Sequence, residues 1–182
     1  MALVHLPPMA RFFMPMPEDR IKKKAKYNLG EKYLVVESSP KLSVEIFKEI
    51  TTHGVPGIWL TSHDPKSVEL GFGLSKTAIL SLTDKKLPGE ATLPPDRLDR
   101  AVDIVANYLS RTGLAVALID NFSDLARVNG ISKVLDFIKK MEDTCAKNDY
   151  ALIVVLDPAA FAEAQVNVLI EGFRDWRIFK QV

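Results

Sequence analysis

The chain contains a single cysteine, Cys145, among its 182 residues. One thiol excludes an intrachain disulfide, and its position in a helical pattern indicates a buried structural thiol in a reducing compartment. Apolar runs are also short, and none approaches the roughly 20 residues that a membrane-spanning helix needs. The first residues, MALVHLPPMARFF, lack a positive leader ahead of an apolar segment. These absences predict a soluble protein of the cytoplasm that does not contact a membrane.

Histidine is scarce as well. The three histidines, His5, His53 and His63, lack the spacing of metal ligands. His63 stands between Ser62 and Asp64, but sequence neighbours rarely align as a catalytic triad, so a solvated loop is the better interpretation. Because no triad, metal cluster or cofactor motif is found, we expect a protein that is not an enzyme and that binds no metal or cofactor.

A glycine-rich phosphate loop is also missing. Such a loop follows a strand and surrounds phosphate groups with backbone amides and one lysine. After the first predicted strand, the chain instead has SSPKLS, without glycine. Residues 71–77, GFGLSKT, end in Lys-Thr, but serine stands where glycine must precede the lysine, and the segment leads into a strand. We therefore expect no phosphate cradle.

Charge is distributed unevenly along the chain. The formal net charge is +1, yet residues 1–30 carry six basic and two acidic side chains. The same residues are rich in proline and methionine, which favours an extended arm over a helix. Basic side chains of such an arm neutralise phosphates, and aromatic ones stack on bases or fill apolar pockets. The residues predicted to bind RNA or another partner are Arg11, Phe12, Phe13, Arg20, Lys22, Lys23, Lys24, Lys26 and Tyr27.

Residues 31–182 show the alternation of an α/β domain. Five apolar runs predict strands, namely YLVVE, GIWLT, TAILSL, GLAVALIDN and ALIVVL. Amphipathic stretches predict helices between and after them, entered at Ser39 and Pro40, at Pro94 and Pro95, at Asn129 and Gly130, and at Asp157 and Pro158. Because helical connections between strands require crossovers, we predict a three-layer α/β sandwich with a mostly parallel five-stranded sheet.

Acidic side chains follow three of the predicted strands. In open parallel sheets, ligands bind beyond the carboxyl ends of the strands. Glu37, Asp120 and Asp157 are predicted to converge there, and an apolar strand ending in aspartate is typical of the magnesium-positioning strand of nucleotide hydrolases. Without a phosphate loop, Asp120 is more simply a structural residue and Asp157 a helix cap. The three carboxylates are thus a candidate vestigial metal or nucleotide edge.

The order of these segments resembles a known family. The segments that carry the resemblance are YLVVE, HGVPGIWLT, GLSKTAILSLT, LDRAVDIVANYL, AVALIDNFSDLARVNG and VLDPAAF, within roughly residues 31–175. They resemble the archaeal domain of unknown function 835. The resemblance implies the core of a RecA-like ATPase that has lost its phosphate loop, without ATPase activity, and it supplies no catalytic residues. Members of the family often accompany signalling modules, whereas this chain carries a basic arm.

Two functional hypotheses follow. The first is a non-enzymatic, regulatory binding protein whose arm docks on a larger assembly, most concretely an RNA-containing one such as a ribosomal subunit. An acidic protein partner would be recognised by the same arm, and the α/β body would serve for docking or for self-association as a homodimer. The alternative is a nucleotide-sensing or signalling module with a degenerate ATPase-like site at Glu37 and Asp120. A hydrolase without a recognisable motif ranks below both.

Overall fold

A computed structural model describes residues 26–74, 77–147 and 150–181. Seven strands form one sheet in this part of the chain, and every pairing is parallel. In chain order, the strands are β1 (Lys32–Val36), β2 (Gly57–Thr61), β3 (Thr77–Leu82), β4 (Thr92–Leu93), β5 (Val116–Ile119), β6 (Ala151–Leu156) and β7 (Arg177–Lys180). Across the sheet, their order is β4-β3-β2-β5-β6-β1-β7.

Helices cover both faces of the sheet. They are α1 (Leu42–Thr52), α2 (Pro65–Phe72), α3 (Leu98–Thr112), α4 (Phe122–Asn129), α5 (Ile131–Ala146) and α6 (Glu163–Gly172). Phe47 of α1 and Val68 of α2 belong to the core on one face, and the core on the other face takes residues from α3 to α6. The predicted three-layer α/β sandwich is therefore confirmed. No helix of the described ranges is both long and apolar enough to cross a membrane.

Strand β5 lies at the centre of the sheet and contributes to both cores. Val116 and Leu118 face the core under α1 and α2, whereas Ala117 and Ile119 face the opposite core. All four side chains are fully buried. A parallel strand that is covered on both faces has no solvent side, which explains why the sequence of β5 is apolar throughout.

The sheet has seven strands rather than the five that the sequence predicted. The two additional strands, β4 and β7, lie at its opposite edges. Strand β4 has only two residues and lies within a polar loop. Strand β7 has four residues, and its two ends, Arg177 and Lys180, are exposed. Neither strand contains an apolar run, because an edge strand is only partly covered.

Some helix boundaries also differ from those predicted. Helix α1 begins at Leu42, so Ser39 and Pro40 precede it instead of capping it. Helix α4 was not predicted, and it follows β5 directly. After β6, Asp157 and Pro158 open a short 3-10 helix rather than α6, which begins at Glu163.

Residues 26–30, the described part of the predicted arm, pack on the body. Tyr27 is 2% exposed, and the centroid of its ring lies 5.9 Å from those of both Tyr33 and Phe179. The backbone N–H of Asn28 donates to the Tyr33 hydroxyl across 2.7 Å. These contacts join the chain before β1 to β1 and β7.

Candidate functional site

Three carboxylates follow neighbouring strands at one edge of the sheet. Asp120, Asp157 and Glu37 come directly after β5, β6 and β1, which are adjacent in the sheet order. Because neighbouring strands lie about 4.8 Å apart, the ends of β5 and β1 are separated by roughly 10 Å. The parallel topology therefore brings the three residues to a common edge, although the partners of each side chain are different.

Glu37 is bound to the first turn of α1. Its Oε2 accepts the backbone N–H of Lys41 across 3.2 Å and that of Leu42 across 2.9 Å. Its Oε1 accepts the backbone N–H of Ser43 across 3.0 Å and the Ser43 hydroxyl across 2.5 Å. Glu37 is 2% exposed. Its carboxylate thus accepts hydrogen bonds from amides that have no acceptor within α1. Its negative charge lies beside the positive end of the helix dipole, which is a favourable arrangement.

The position of this carboxylate bears directly on phosphate binding. In a strand–turn–helix unit, the N-terminal amides of the helix are the groups that hold a phosphate. In this protein, those amides of α1 donate to Glu37, a residue of the chain itself. The turn between β1 and α1 lacks glycine. In addition, the amides that would bind a phosphate already donate to the Glu37 carboxylate.

Asp120 is held on one side only. Its Oδ2 accepts the indole N–H of Trp59 across 2.9 Å and the hydroxyl of Thr61 across 3.1 Å. Its Oδ1 is sheltered from solvent and has no hydrogen-bond partner among the residues that the structure describes. Burial raises the pKa of Asp120 to about 6, while the hydrogen bonds from Trp59 and Thr61 and the charge of His63 act in the opposite direction.

Further unpartnered polar atoms follow Asp120 in the chain. The side-chain oxygen and nitrogen of Asn121 and the hydroxyl of Ser123 are sheltered, and they too lack partners within the described ranges. Asn121 is 3% exposed, and it precedes α4 without capping it through its side chain. Buried polar groups are nearly always hydrogen-bonded in native proteins. The start of α4 is therefore the part of this edge where buried polar atoms lack hydrogen-bond partners among the described residues.

Asp157 and Asp64 are helix caps. Asp157 accepts the backbone N–H of Ala159 across 2.9 Å and so caps the 3-10 helix, not the last helix that the sequence predicted it to cap. Asp64 accepts the backbone N–H of Ser67 across 3.1 Å at the start of α2. In the described part of the chain, no cluster of three or more histidine, cysteine, aspartate or glutamate side chains is arranged to hold a metal.

The other sequence motifs have structural roles. Gly71 and Phe72 end α2, and Gly73 follows as its left-handed cap with φ 65°, so the segment connects a helix to β3. Ser75 and Lys76 lie outside the described residues. Cys145 is buried, and burial together with the charge of Glu142 raises the pKa of its thiol to about 12. The prediction of a buried thiol is confirmed.

Most of the predicted partner-binding residues lie outside the described part of the chain. These are Arg11, Phe12, Phe13, Arg20, Lys22, Lys23 and Lys24. Lys26 lies against α1, where its backbone N–H donates to Glu49 Oε1 across 2.9 Å. Tyr27 packs inside the body and is not exposed for stacking on a base.

The sequence interpretation did not include the partners of the two central carboxylates. Ser43 and Trp59 are only members of a predicted helix and strand, and Thr61 falls at a strand end where ligands are expected, but the sequence assigns none of them as a partner of a carboxylate. Trp59 and Thr61 are two residues apart in β2, so their side chains point to the same face of the sheet, which is also the face of Asp120. Without the strand order, which places β2 beside β5, the sequence could not assign either residue to Asp120.

Sheet order, helical layers and the carboxyl edge together define a RecA-like α/β fold, in which Glu37 accepts the first amides of α1. The chain belongs to the family described as "Protein of unknown function (DUF835)", whose model matches residues 36–173. This match confirms the resemblance seen in the sequence. No curated protein matches the chain.

Solved structures of similar fold come from Pyrococcus horikoshii OT3. The KaiC-like protein PH0186 matches with a TM-score of 0.53 and 14% identity, over 79% of this chain and 70% of that one. The protein PH0250 matches with a TM-score of 0.57 and 11% identity, over 86% of this chain and 84% of that one. At these identities, the similarity shows the fold alone.

Proposed function

We propose that this protein is a non-enzymatic binding protein that docks on a larger assembly through its basic N-terminal arm. The observation that carries the proposal is that all three carboxylates of the edge are engaged with the protein itself. Glu37 binds the amides of α1, Asp120 accepts two side-chain donors, and Asp157 caps a short helix. Carboxylates that are hydrogen-bonded within the protein favour a non-enzymatic binding protein over a hydrolase.

The charge of the chain supports an anionic partner. Residues 1–30 carry six basic side chains against two acidic ones, whereas the net charge of the whole chain is only +1. The backbone N–H of Lys26 donates to Glu49 Oε1 across 2.9 Å, so the described part of the arm begins beside α1. RNA carries one phosphate charge per nucleotide, and a ribonucleoprotein such as a ribosomal subunit is the proposed assembly. The body serves for docking or for self-association as a homodimer.

Binding of a fluorescent ribosomal RNA fragment across a salt series tests the arm. The full chain is compared with a chain that begins at Lys26, since this boundary keeps Tyr27 in the body. We expect the full chain to bind with an affinity that falls steeply between about 50 and 300 mM salt, and the shortened chain to bind at least tenfold more weakly. RNA binding that survives removal of residues 1–25, or that ignores salt, contradicts the proposal.

Charge-neutralising variants provide a matched control. Replacing Lys22, Lys23 and Lys24 by glutamine should weaken RNA binding and reduce its salt dependence. Replacing three exposed lysines of the body by glutamine, namely Lys133, Lys139 and Lys147, removes the same charge elsewhere and should have little effect. Equal losses in the two variants would show that net charge, and not the arm, determines binding. If the protein still binds purified ribosomal subunits after nuclease has digested their RNA, the result would point to an acidic protein partner.

A nucleotide-sensing module is the second candidate, and the unpartnered atoms beside Asp120 favour it. Oδ1 of Asp120 and the side chain of Asn121 have no partner in the described part of the protein. Calorimetry with ATP and magnesium tests this candidate on the wild type and on Asp120→Asn. Heat that is lost in the variant would replace the proposal of a scaffold, and no heat in either protein would exclude nucleotide sensing at this edge.

A further inference from the structure

We propose that Glu37 acts as a built-in substitute for a bound phosphate, so that the turn between β1 and α1 is an anion site whose anion belongs to the chain. This inference rests on the proposed non-enzymatic function, which it deepens. The natural occupant of this site is the Glu37 carboxylate. When that carboxylate is removed, the site should bind an inorganic oxyanion such as phosphate or sulfate.

The donors around Glu37 form a complete oxyanion site. Each carboxylate oxygen has two donors, with Lys41 and Leu42 amides on Oε2 and the Ser43 amide and hydroxyl on Oε1. Three consecutive backbone amides and one hydroxyl at the start of a helix are donors of the kind that bind phosphate at helix N-termini. A carboxylate that is 2% exposed would be strongly unfavourable without them. The contacts therefore describe an enclosed anion with its charge satisfied.

The backbone of Glu37 explains how the site is filled without glycine. Its N–H donates to the carbonyl of Leu156 across 3.1 Å, a hydrogen bond that belongs to the terminal Val36–Leu156 pair of β1 and β6. Glu37 is thus anchored in the sheet, and its side chain extends from the end of β1 to α1. Ser38 and Ser39 are exposed outside it. No external ligand has to approach the backbone closely, so the turn does not need the small residues of a phosphate loop.

Because the anion is covalently part of the chain, the site is occupied at every nucleotide concentration. A phosphate group could bind these amides only after the Glu37 side chain had left them. The two negative charges would otherwise repel each other within one enclosed site. We therefore expect the β1–α1 turn to keep one conformation whether or not nucleotide is present.

Chemical rescue tests this inference. In Glu37→Ala, we expect the Tm to fall by roughly 5–10 °C, because buried amides lose a charged acceptor. Inorganic phosphate should then restore about half of that loss, with saturation in the millimolar range. In the wild type, phosphate should act only as a general salt does, as judged against sodium chloride of equal ionic strength.

Asp64→Ala is the matched control. Asp64 also places a carboxylate at a helix N-terminus, where it accepts the amide and the hydroxyl of Ser67 across 3.1 and 2.9 Å. Those bonds are exposed to solvent, so no enclosed site remains after its removal, and phosphate should produce no saturable rise of Tm. The double variant Glu37→Ala, Ser43→Ala should show a weaker rescue than Glu37→Ala alone, because one donor is lost.

The outcomes separate cleanly. An unchanged Tm in Glu37→Ala, or equal phosphate effects on the wild type, Glu37→Ala and Asp64→Ala, overturns the inference. If Glu37→Ala does not fold in chloride, its refolding yield in phosphate against chloride becomes the measurement, and equal yields overturn it as well. RNA binding through the arm is measured independently by removing residues 1–25, so failure of either proposal is recognisable without the other.

Discussion

The indole N–H of Trp59 donates to Oδ2 of Asp120 across 2.9 Å and thereby joins β2 to β5 at the carboxyl edge of the sheet. Thr61, two residues further along β2, donates to the same oxygen across 3.1 Å. The other oxygen, Oδ1, is sheltered and has no partner in the described ranges. Asp120 is thus an asymmetrically satisfied carboxyl group, and its protonation is linked to the stability of the fold.

Asp120→Asn should change the pH dependence of stability. Burial raises the pKa of Asp120 from 3.8 to about 6, so the native state binds the proton more tightly than the unfolded chain does. The resulting stabilisation is present below about pH 4 and is lost as the pH rises through 6. Asparagine resembles the protonated form at every pH. We expect the variant to match the wild type near pH 4 and to exceed it by on the order of 2–3 kcal/mol near pH 8.

Urea unfolding at both pH values measures this difference. Asp157→Asn provides the control, because it removes a carboxylate from the same edge but leaves the Asp120 hydrogen bonds in place. A stability difference between Asp120→Asn and the wild type that stays constant with pH would show that Asp120 is not the group responsible.

Trp59→Phe should destabilise the protein through the lost indole donor. The variant keeps an aromatic ring near Phe47 and Phe72, whose ring centroids lie 5.8 and 5.2 Å from that of Trp59. Loss of one hydrogen bond to a charged group is expected to cost about 1.5–3 kcal/mol near pH 8. A double-mutant cycle with Asp120→Ala, which removes the acceptor, isolates the hydrogen bond, and a coupling energy near zero would refute its contribution.

Two glycine-to-alanine changes should differ in their effect on stability. A Cβ at Gly57 would lie 2.4 Å from Cζ of Phe47, which is fully buried and cannot move freely. We expect Gly57→Ala to cost roughly 1–3 kcal/mol by overpacking. Gly71 lies in α2, and a Cβ there meets no atom within 4 Å. Gly71→Ala should therefore be neutral or stabilising by up to about 1 kcal/mol. Thermal unfolding of both variants decides, and a destabilising Gly71→Ala would contradict the packing described for α2.

The boundary of the folded body should lie before Tyr27. Tyr27 is 2% exposed between Tyr33 and Phe179, so its removal leaves a cavity. Tyr27→Ala, or a chain that begins at Glu31, should be less stable by roughly 3 kcal/mol. A chain that begins at Lys26 should retain the stability of the full chain. Denaturant unfolding of the three proteins checks this, and equal stability of the chains beginning at Lys26 and Glu31 would place the boundary at residue 30.

The sequence predicted the inner strands because their surroundings leave a clear mark on composition. Strands β5 and β6 are buried on both faces and are apolar at every position. The same reasoning could not find β4, since two paired residues carry no periodicity. Nor could it give the strand order, because a crossover connection restricts handedness but not which strand becomes the neighbour.

For the candidate site, the sequence predicted the edge but not the chemistry of each residue. The rule that ligands bind beyond strand carboxyl ends was sufficient to select Glu37, Asp120 and Asp157. The role of Glu37 depends on where α1 begins, and the Ser-Pro pattern favoured a start at Ser39 that the structure does not have. A carboxylate from the preceding strand provides the cap instead, four to six residues before the amides that it accepts.

The partners of β1 determine when the protein can complete its sheet during synthesis. Lys32 pairs with Leu152, and Tyr33 also pairs with Arg177, so the first strand has neighbours only from the last strands of the chain. When only β1 to β5 have emerged from the ribosome, β1 has neither of its neighbours in the sheet. Long-range parallel pairing of this kind is slow. β1 therefore cannot dock before β6 has been synthesised, so synthesis of β6 is the step that commits the body to its native topology.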